Sequence, residues 1–178
     1  MRVVFRMGER IYLSPVEKSD AEVMQAWYND EEVQRYLLQA KPINLDQEIG
    51  HLERASASKD SVTLAIVEKA AEKLIGSISL FNIHNPHRSA TLGVSIGEKA
   101  YWSKGLGEEA IRLMLKYAFG TLNLNKVSLC VLSTNPRAKR CYEKCGFAEE
   151  GVERMGAYRD GKYEDIIHMS ILKREYFN

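Results

Sequence analysis

The stretch SATLGVSIGEKAYWSKGLGEEAIRLMLKYAF, residues 89–119, constrains the fold of this chain more than any other. It reads as a β-strand that passes through a turn with glycines at 105 and 107 into an amphipathic helix. Such a turn leaves backbone N–H groups unpaired at the positive end of the helix, a way of holding phosphate without a metal. On these residues alone, a purely structural turn accounts for the pattern equally well. Either way, a strand feeding directly into a helix demands a mixed α/β architecture.

The rest of the chain carries the same alternation. RIYLSPV (10–16) reads as a short strand. SDAEVMQAWYNDEEVQRYL (19–37) opens on Ser and Asp and sets Val23, Met24, Trp27 and Tyr28 at helical spacing. After Pro42, NLDQEIGHLERAS (44–56) predicts a further helix with Leu45, Ile49 and Leu52 on one face. SVTLAIVE (61–68) and LIGSISLF (74–81) predict a hairpin across KAAEK. KVSLCVL (126–132) alternates Val127, Leu129 and Val131 with Ser128, Cys130 and Leu132, a strand with both faces at least partly covered. PRAKRCYEKC (136–145) is a helix closed by Gly146, and EDIIHMSIL (164–172) is a final strand. With no repeat, low-complexity tract or Pro/Gly-rich linker, residues 1–178 are expected to form a single domain.

Charge excludes some partners. Lys and Arg number 25 against 24 for Asp and Glu, so no bulk field favours nucleic acid or an anionic membrane, and neither is expected as a partner. No apolar run approaches the length of a bilayer span, and MRVVFRMGER lacks the apolar centre of a signal peptide, so the expected location is cytoplasmic. Cys130, Cys141 and Cys145 are too few and too irregular for a disulfide framework. Cys141, Cys145, His84 and His87 show neither CxxC nor HExxH spacing, so no metal is expected.

The glycine turn has competitors to exclude. GLGEEAIR lacks the lysine of a P-loop, and the turn falls after several strands instead of opening a first βαβ unit. A second stretch, STNPRAKRCYEKCGF (133–147), narrows the choice. Asn135 before Pro136 is a helix N-cap followed by Pro at the first helical position. Tyr142 follows Asn135 by about two helical turns, so both share one face roughly 10 Å apart. A capped helix with an amphipathic Tyr is the plainer account of these residues, and a capping Asn cannot also give all its hydrogen bonds to a ligand.

Together the two stretches resemble the GNAT superfamily of acyl-CoA-dependent N-acetyltransferases. Its turn motif, Q/R-x-x-G-x-G/A, is matched at Gly105 and Gly107, with Trp102 where Gln or Arg is usual. That departure is similar to the branch holding ribosomal-protein N-terminal acetyltransferases and spermidine acetyltransferases. A second motif, N-x-x-A-x-x-x-Y-x-x-x-G-F, is matched by Asn135, Ala138, Tyr142, Gly146 and Phe147. The likeness runs from about Glu9 to the C-terminus.

The resemblance implies a mixed, mostly antiparallel central sheet with helices on both faces, splayed at the cofactor-binding strands. It implies acetyl-CoA as co-substrate, with its diphosphate on the N–H groups of Ser103, Lys104, Gly105, Leu106, Gly107 and Glu108, and with Trp102 also among the cofactor contacts. The pantetheine arm would pair with the strand edge at Val94, Ser95, Ile96 and Gly97, splayed from KVSLCVL. Asn135, Lys139, Tyr142 and Lys144 would line the other side, with Tyr142 as hydrogen-bond donor to the leaving sulfur. The implied activity is direct attack of a primary amine on the thioester, the acceptor being a protein N-terminus, a polyamine or another small amine. A non-catalytic acyl-CoA-binding regulatory module is the alternative. The resemblance also allows a homodimer.

An alkylammonium of pKa about 10.4 must lose a proton before it can attack, at a cost of roughly 4–5 kcal/mol at pH 7. Some relatives use a strand Glu as base, and counting back from Gly105 places Thr91 there. Glu98 and His84 are the substitutes the chain offers, and the base stays open. The N-terminal helices and a loop at 156–165, GAYRDGKYED, are expected to wall the acceptor site. The acidic clusters Asp30, Glu31, Glu32 and Glu149, Glu150, Glu153 either attract a basic acceptor or are solvated helix-end charge.

Overall fold

Runs rich in Val, Ile and Leu become strands here because each can bury one face against a helix layer. The computed structural model describes residues 2–38 and 41–177. Among them, β1 (Arg6–Met7), β2 (Ile11–Pro15), β3 (Val62–Glu68), β4 (Lys73–His84), β5 (Ser89–Ile96), β6 (Lys126–Leu132), β7 (Ala148–Arg159) and β8 (Lys162–Leu172) join one sheet. Its order is β1-β2-β3-β4-β5-β6-β8-β7. Neighbours run antiparallel except β5 and β6, which are parallel. The helices are α1 (Ala21–Tyr28), α2 (Glu31–Gln34), α3 (Leu45–Ala57), α4 (Leu106–Gly120), α5 (Pro136–Lys144) and α6 (Lys173–Tyr176).

The crossover between the parallel strands is α4, which buries Leu106, Ala110, Ile111, Met114, Leu115, Ala118 and Phe119 in one stripe. That 3.6-residue rhythm fixes the helix on one sheet face, against Leu64, Ile78, Leu92 and Val127. On the opposite face, α1 and α3 pack together through Ala21, Met24 and Leu52. Helices thus cover both faces of the sheet, as the resemblance implies.

Two expectations change. The helix anticipated over 19–37 breaks at Asn29 and Asp30. The Asn29 amide donates to Ile43 O at 2.7 Å and accepts from Ile43 N at 3.0 Å, while extended Asp30 caps α2 through Glu32 N and Val33 N. A long-range pairing therefore overrides local helical preference. Within α1, Met24 is buried while Val23 is 43% exposed, and Leu45 at the start of α3 is 41% exposed. The anticipated loop at 156–165 is instead a β-hairpin, with β7 and β8 meeting at a turn where Asp160 and Gly161 take positive φ.

Candidate active site

β5 and β6 pair only at Ser89–Lys126, Ala90–Val127 and Thr91–Ser128, and then diverge. Beyond Thr91 the β6-facing edge of β5 has no strand partner, so its backbone N–H and C=O groups face a gap. That gap opens into a cleft of about 370 Å3. Val94, Ser95 and Ile96 form its strand wall.

The glycine turn closes one end. Ser103 has φ 59 and Gly105 has φ 78, the left-handed region, and Gly105 is the N-cap of α4. Positive φ costs a residue with a Cβ about 1–2 kcal/mol, which explains glycine at 105. A Cβ there would also lie 3.2 Å from Arg10 Nη2. Arg10 Nη1 donates to Lys104 O at 2.7 Å, and Glu109 Oε1 accepts from Arg10 N at 2.9 Å and Ile11 N at 3.2 Å. The turn is therefore held from outside by the start of β2. Trp102, Ser103, Gly105, Leu106, Gly107 and Glu108 all line the cleft.

The far wall is α5. Asn135 is buried and accepts from Ala138 N at 3.1 Å, with Pro136 in the first turn. The cap uses its carbonyl oxygen, which leaves the amide N–H2 as the group able to meet a ligand. Tyr142 is half-buried, packs edge-on to Phe147 at 6.1 Å, and its hydroxyl bonds to no described residue. Burial pushes its phenol above the usual value, so it stays a protonated donor. Lys144 also lines the cleft, and its carbonyl accepts from Arg112 at 2.5 Å, tying α5 to α4.

Three expected contact residues stand outside the lining. A Cβ on Gly97 would strike the Trp27 ring at 2.1 Å, so this glycine serves close packing against α1. Lys104 turns its ammonium to 5.4 Å from the Tyr101 ring. Lys139 pairs with Glu149 at 2.9 Å. In its place Arg137 and Arg140 line the cleft. Positions 137, 140 and 144 are spaced three and four apart and share a helix face, from which 139 is displaced by 100° per residue. That spacing was the available signal.

Tyr36 and Leu37, just past α2, also line the cleft. The Arg137 guanidinium lies 4.5 Å from the Trp102 ring and 5.3 Å from the Tyr36 ring, bridging the two walls. Arg159 in the β7–β8 hairpin donates to Leu37 O, so the hairpin reaches this segment.

The acidic clusters are largely engaged. Lys99 pairs with Asp30 at 2.8 Å and with Glu32 at 2.6 Å; Lys126 pairs with Glu150 at 2.6 Å; His168 stands 3.3 Å from Glu153. Neither candidate base reaches the cleft lining. Glu98 pairs with Lys73 at 2.6 Å. His84 sits opposite Ser89, stacked on His87 at 4.5 Å, roughly 20 Å of strand from Ser95. Among the described residues, no group of three or more His, Cys, Asp or Glu could hold a metal, and no helix is long and apolar enough to cross a membrane.

A cleft of this composition, with unpaired N–H groups at one end and cations on α5, fits a ligand that carries phosphate groups. Comparison with known proteins agrees. The model of the acetyltransferase (GNAT) domain matches residues 10–148. A spermidine N(1)-acetyltransferase of Vibrio cholerae is 31% identical over 172 residues, covering 97% of this chain and 98% of the relative. A putative ribosomal N-acetyltransferase, YdaF of Bacillus subtilis, is 39% identical over 103 residues, covering 58% of this chain and 56% of the relative. The crystal structure of Vibrio cholerae spermidine N-acetyltransferase with CoA and spermine superposes at TM-score 0.89 with 28% identity, covering 95% of this chain and 99% of that one.

Proposed function

This chain belongs to the GNAT family of acetyltransferases and is an acetyl-CoA-dependent N-acetyltransferase, and on that premise we infer that its acceptor is a primary amine of a polyamine. The observation that carries the acetyl-transfer part of this reading is the β5–β6 gap, with the left-handed glycine turn at one end and the unbonded Tyr142 hydroxyl on its wall. Near-full-length similarity to a spermidine acetyltransferase supports the polyamine. The similarity to YdaF supports a second reading, a protein N-terminus. The reaction is assigned to the cytoplasm, where acetyl-CoA is available to a soluble enzyme.

Bound acetyl-CoA supplies the thioester that the amine attacks. The backbone N–H groups at Ser103, Gly105, Leu106 and Gly107 hold the diphosphate, with Arg137, Arg140 and Lys144 adding charge from α5. The unpaired edge at Val94 to Ile96 bonds the pantetheine amides as a short extra strand. Tyr142 donates to the sulfur as negative charge develops there. A phenol exceeds a thiol by about 1.5 pKa units in water, so complete transfer at rest is uphill and the donation matters most late in C–S cleavage.

The test is release of free thiol from acetyl-CoA across an amine panel containing spermidine, spermine, short diamines and N-terminal peptides. Polyamines should give the highest kcat/KM. A peptide preference would move the assignment to the second reading.

A further inference from the structure

Cys141 of α5 lines the cleft and is partly exposed. Cys145 follows it by one helical turn, on the same face of α5. Cys145 is 5% exposed, and its thiol donates to Glu108 O, in the first turn of α4, at 3.8 Å. Glu108 also lines the cleft. The two thiols therefore stand in the seam where α5 meets the start of α4, beside the glycine turn.

A cation completes this cluster. Arg112 of α4 donates to Glu108 Oε1 at 2.9 Å and to Lys144 O at 2.5 Å, which holds its guanidinium across the same seam. The acetyl transfer described above uses none of these sulfurs. A buried cysteine packs as a small apolar side chain, and that accounts for Cys145. Cys141 differs because the cleft gives a ligand access to it.

The surroundings favour the nucleophilic form at position 141 alone. A hydrogen bond from Cys145 lowers the Cys141 thiol against the opposing effects of burial and Glu108, and Lys144 and Arg112 add to the lowering. The same hydrogen bond, together with burial, pushes Cys145 up. Burial also pushes up Cys130 of β6, which stands outside the cleft lining.

We propose that Cys141 is a thiol–disulfide exchange site at which a small-molecule disulfide closes the cofactor cleft. The idea rests on the placement of acetyl-CoA in that cleft. The Cys141 thiolate attacks one sulfur of a disulfide R–S–S–R. The Cys141–S–S–R bond forms as the original S–S bond breaks, and the departing thiolate takes up the proton that Cys141 shed. The disulfide is the only oxidant required. The group R then occupies the cleft beside Gly107 and Glu108 and excludes acetyl-CoA. A free thiol reverses the step by the same exchange. Activity thereby follows the balance of thiol and disulfide around the protein.

Glutathione disulfide is the probe. Wild-type protein is incubated with it in the absence of an amine acceptor, and the modified peptides are identified by mass spectrometry. Cys141 should carry glutathione before Cys130 or Cys145. Acetyl-CoA at about 100 times Kd should slow this reaction about 100-fold, since it leaves only about 1% of the clefts open. The modified protein should lose its thermal stabilisation by acetyl-CoA, and dithiothreitol should restore it. Cys141→Ser, or Cys141→Ala if serine impairs folding, should keep through the treatment whatever stabilisation acetyl-CoA gave it beforehand. No reaction at Cys141, earlier reaction at Cys130, absence of protection by acetyl-CoA, or full stabilisation of protein modified at Cys141 would each overturn the proposal. Untreated wild type that acetyl-CoA fails to stabilise would instead remove the cofactor placement, and the proposal with it.

Discussion

The indole N–H of Trp102 donates to the carbonyl of Ile96 at 2.6 Å. This bond joins the glycine turn to the end of the unpaired strand edge, the two surfaces proposed above to hold the diphosphate and the pantetheine arm of acetyl-CoA. It also gives a physical role to the departure from Gln or Arg at this motif position. The ring stays in place through the stacked Arg137 and an edge contact with Tyr36 at 6.1 Å.

Trp102→Phe keeps an aromatic ring beside Arg137 but removes the donor. A lost hydrogen bond contributes about 0.5–1.5 kcal/mol, so KM for acetyl-CoA should rise about 2–10-fold while kcat changes little. Steady-state kinetics with varied acetyl-CoA checks this. An unchanged KM would mean the turn and strand keep their spacing without the bond.

Gly105→Ala places a Cβ on a residue at φ 78, against Arg10 Nη2. Backbone strain of about 1–2 kcal/mol should lower Tm by roughly 2–8 °C in a domain of this size. The larger effect should be on ligand stabilisation. Acetyl-CoA at 100 times Kd should add about 2.7 kcal/mol of stability to the wild type, and far less to the variant. Dephosphorylated pantetheine should stabilise both proteins weakly. Thermal melts with each ligand decide it, and equal shifts from acetyl-CoA and pantetheine would take the diphosphate off this turn.

Arg10 supports the same turn from outside, through Lys104 O at 2.7 Å and Glu109 Oε2 at 3.4 Å. It is half exposed, so its removal should cost less than about 1 kcal/mol of stability. Arg10→Ala should nonetheless raise KM for acetyl-CoA several-fold, because the orientation of the N–H groups loosens. A drop in Tm of many degrees with unchanged KM would make Arg10 a stability residue instead.

What was legible in the sequence follows from what each feature depends on. Strand β5, the turn and α4 were readable because period-two and period-3.6 patterns and paired glycines are local signals. The break at Asn29 was not, since it depends on bonds to Ile43, fourteen positions away. The burial of Glu48 was hidden for a related reason. In sequence it is one polar position among several on an amphipathic helix, and only the packing of α3 buries it. The resemblance pointed to Lys139, whereas helix-face geometry brings Arg137 and Arg140 to the cleft and leaves Lys139 paired with Glu149.

Tyr142→Phe tests the chemistry itself. The half-buried hydroxyl has no described partner, so removing it strands no protein group, and the retained ring keeps the contact with Phe147. Fold and acetyl-CoA affinity should therefore survive, while kcat falls about 10²–10³-fold, within the usual span for a general acid. The pH profile adds a second check. Burial raises the phenol, so the donor form persists from neutral pH up past the ordinary tyrosine range. The wild-type rate should then show no decline attributable to Tyr142 below about pH 10, the unperturbed tyrosine value. An alkaline limb near pH 8 that disappears in Tyr142→Phe would contradict this assignment. So would wild-type kcat in the variant, once a burst experiment has shown chemistry and not product release to be rate-limiting. A packing role predicts the opposite split, lowered Tm with turnover intact, so the two accounts separate on one protein and two measurements.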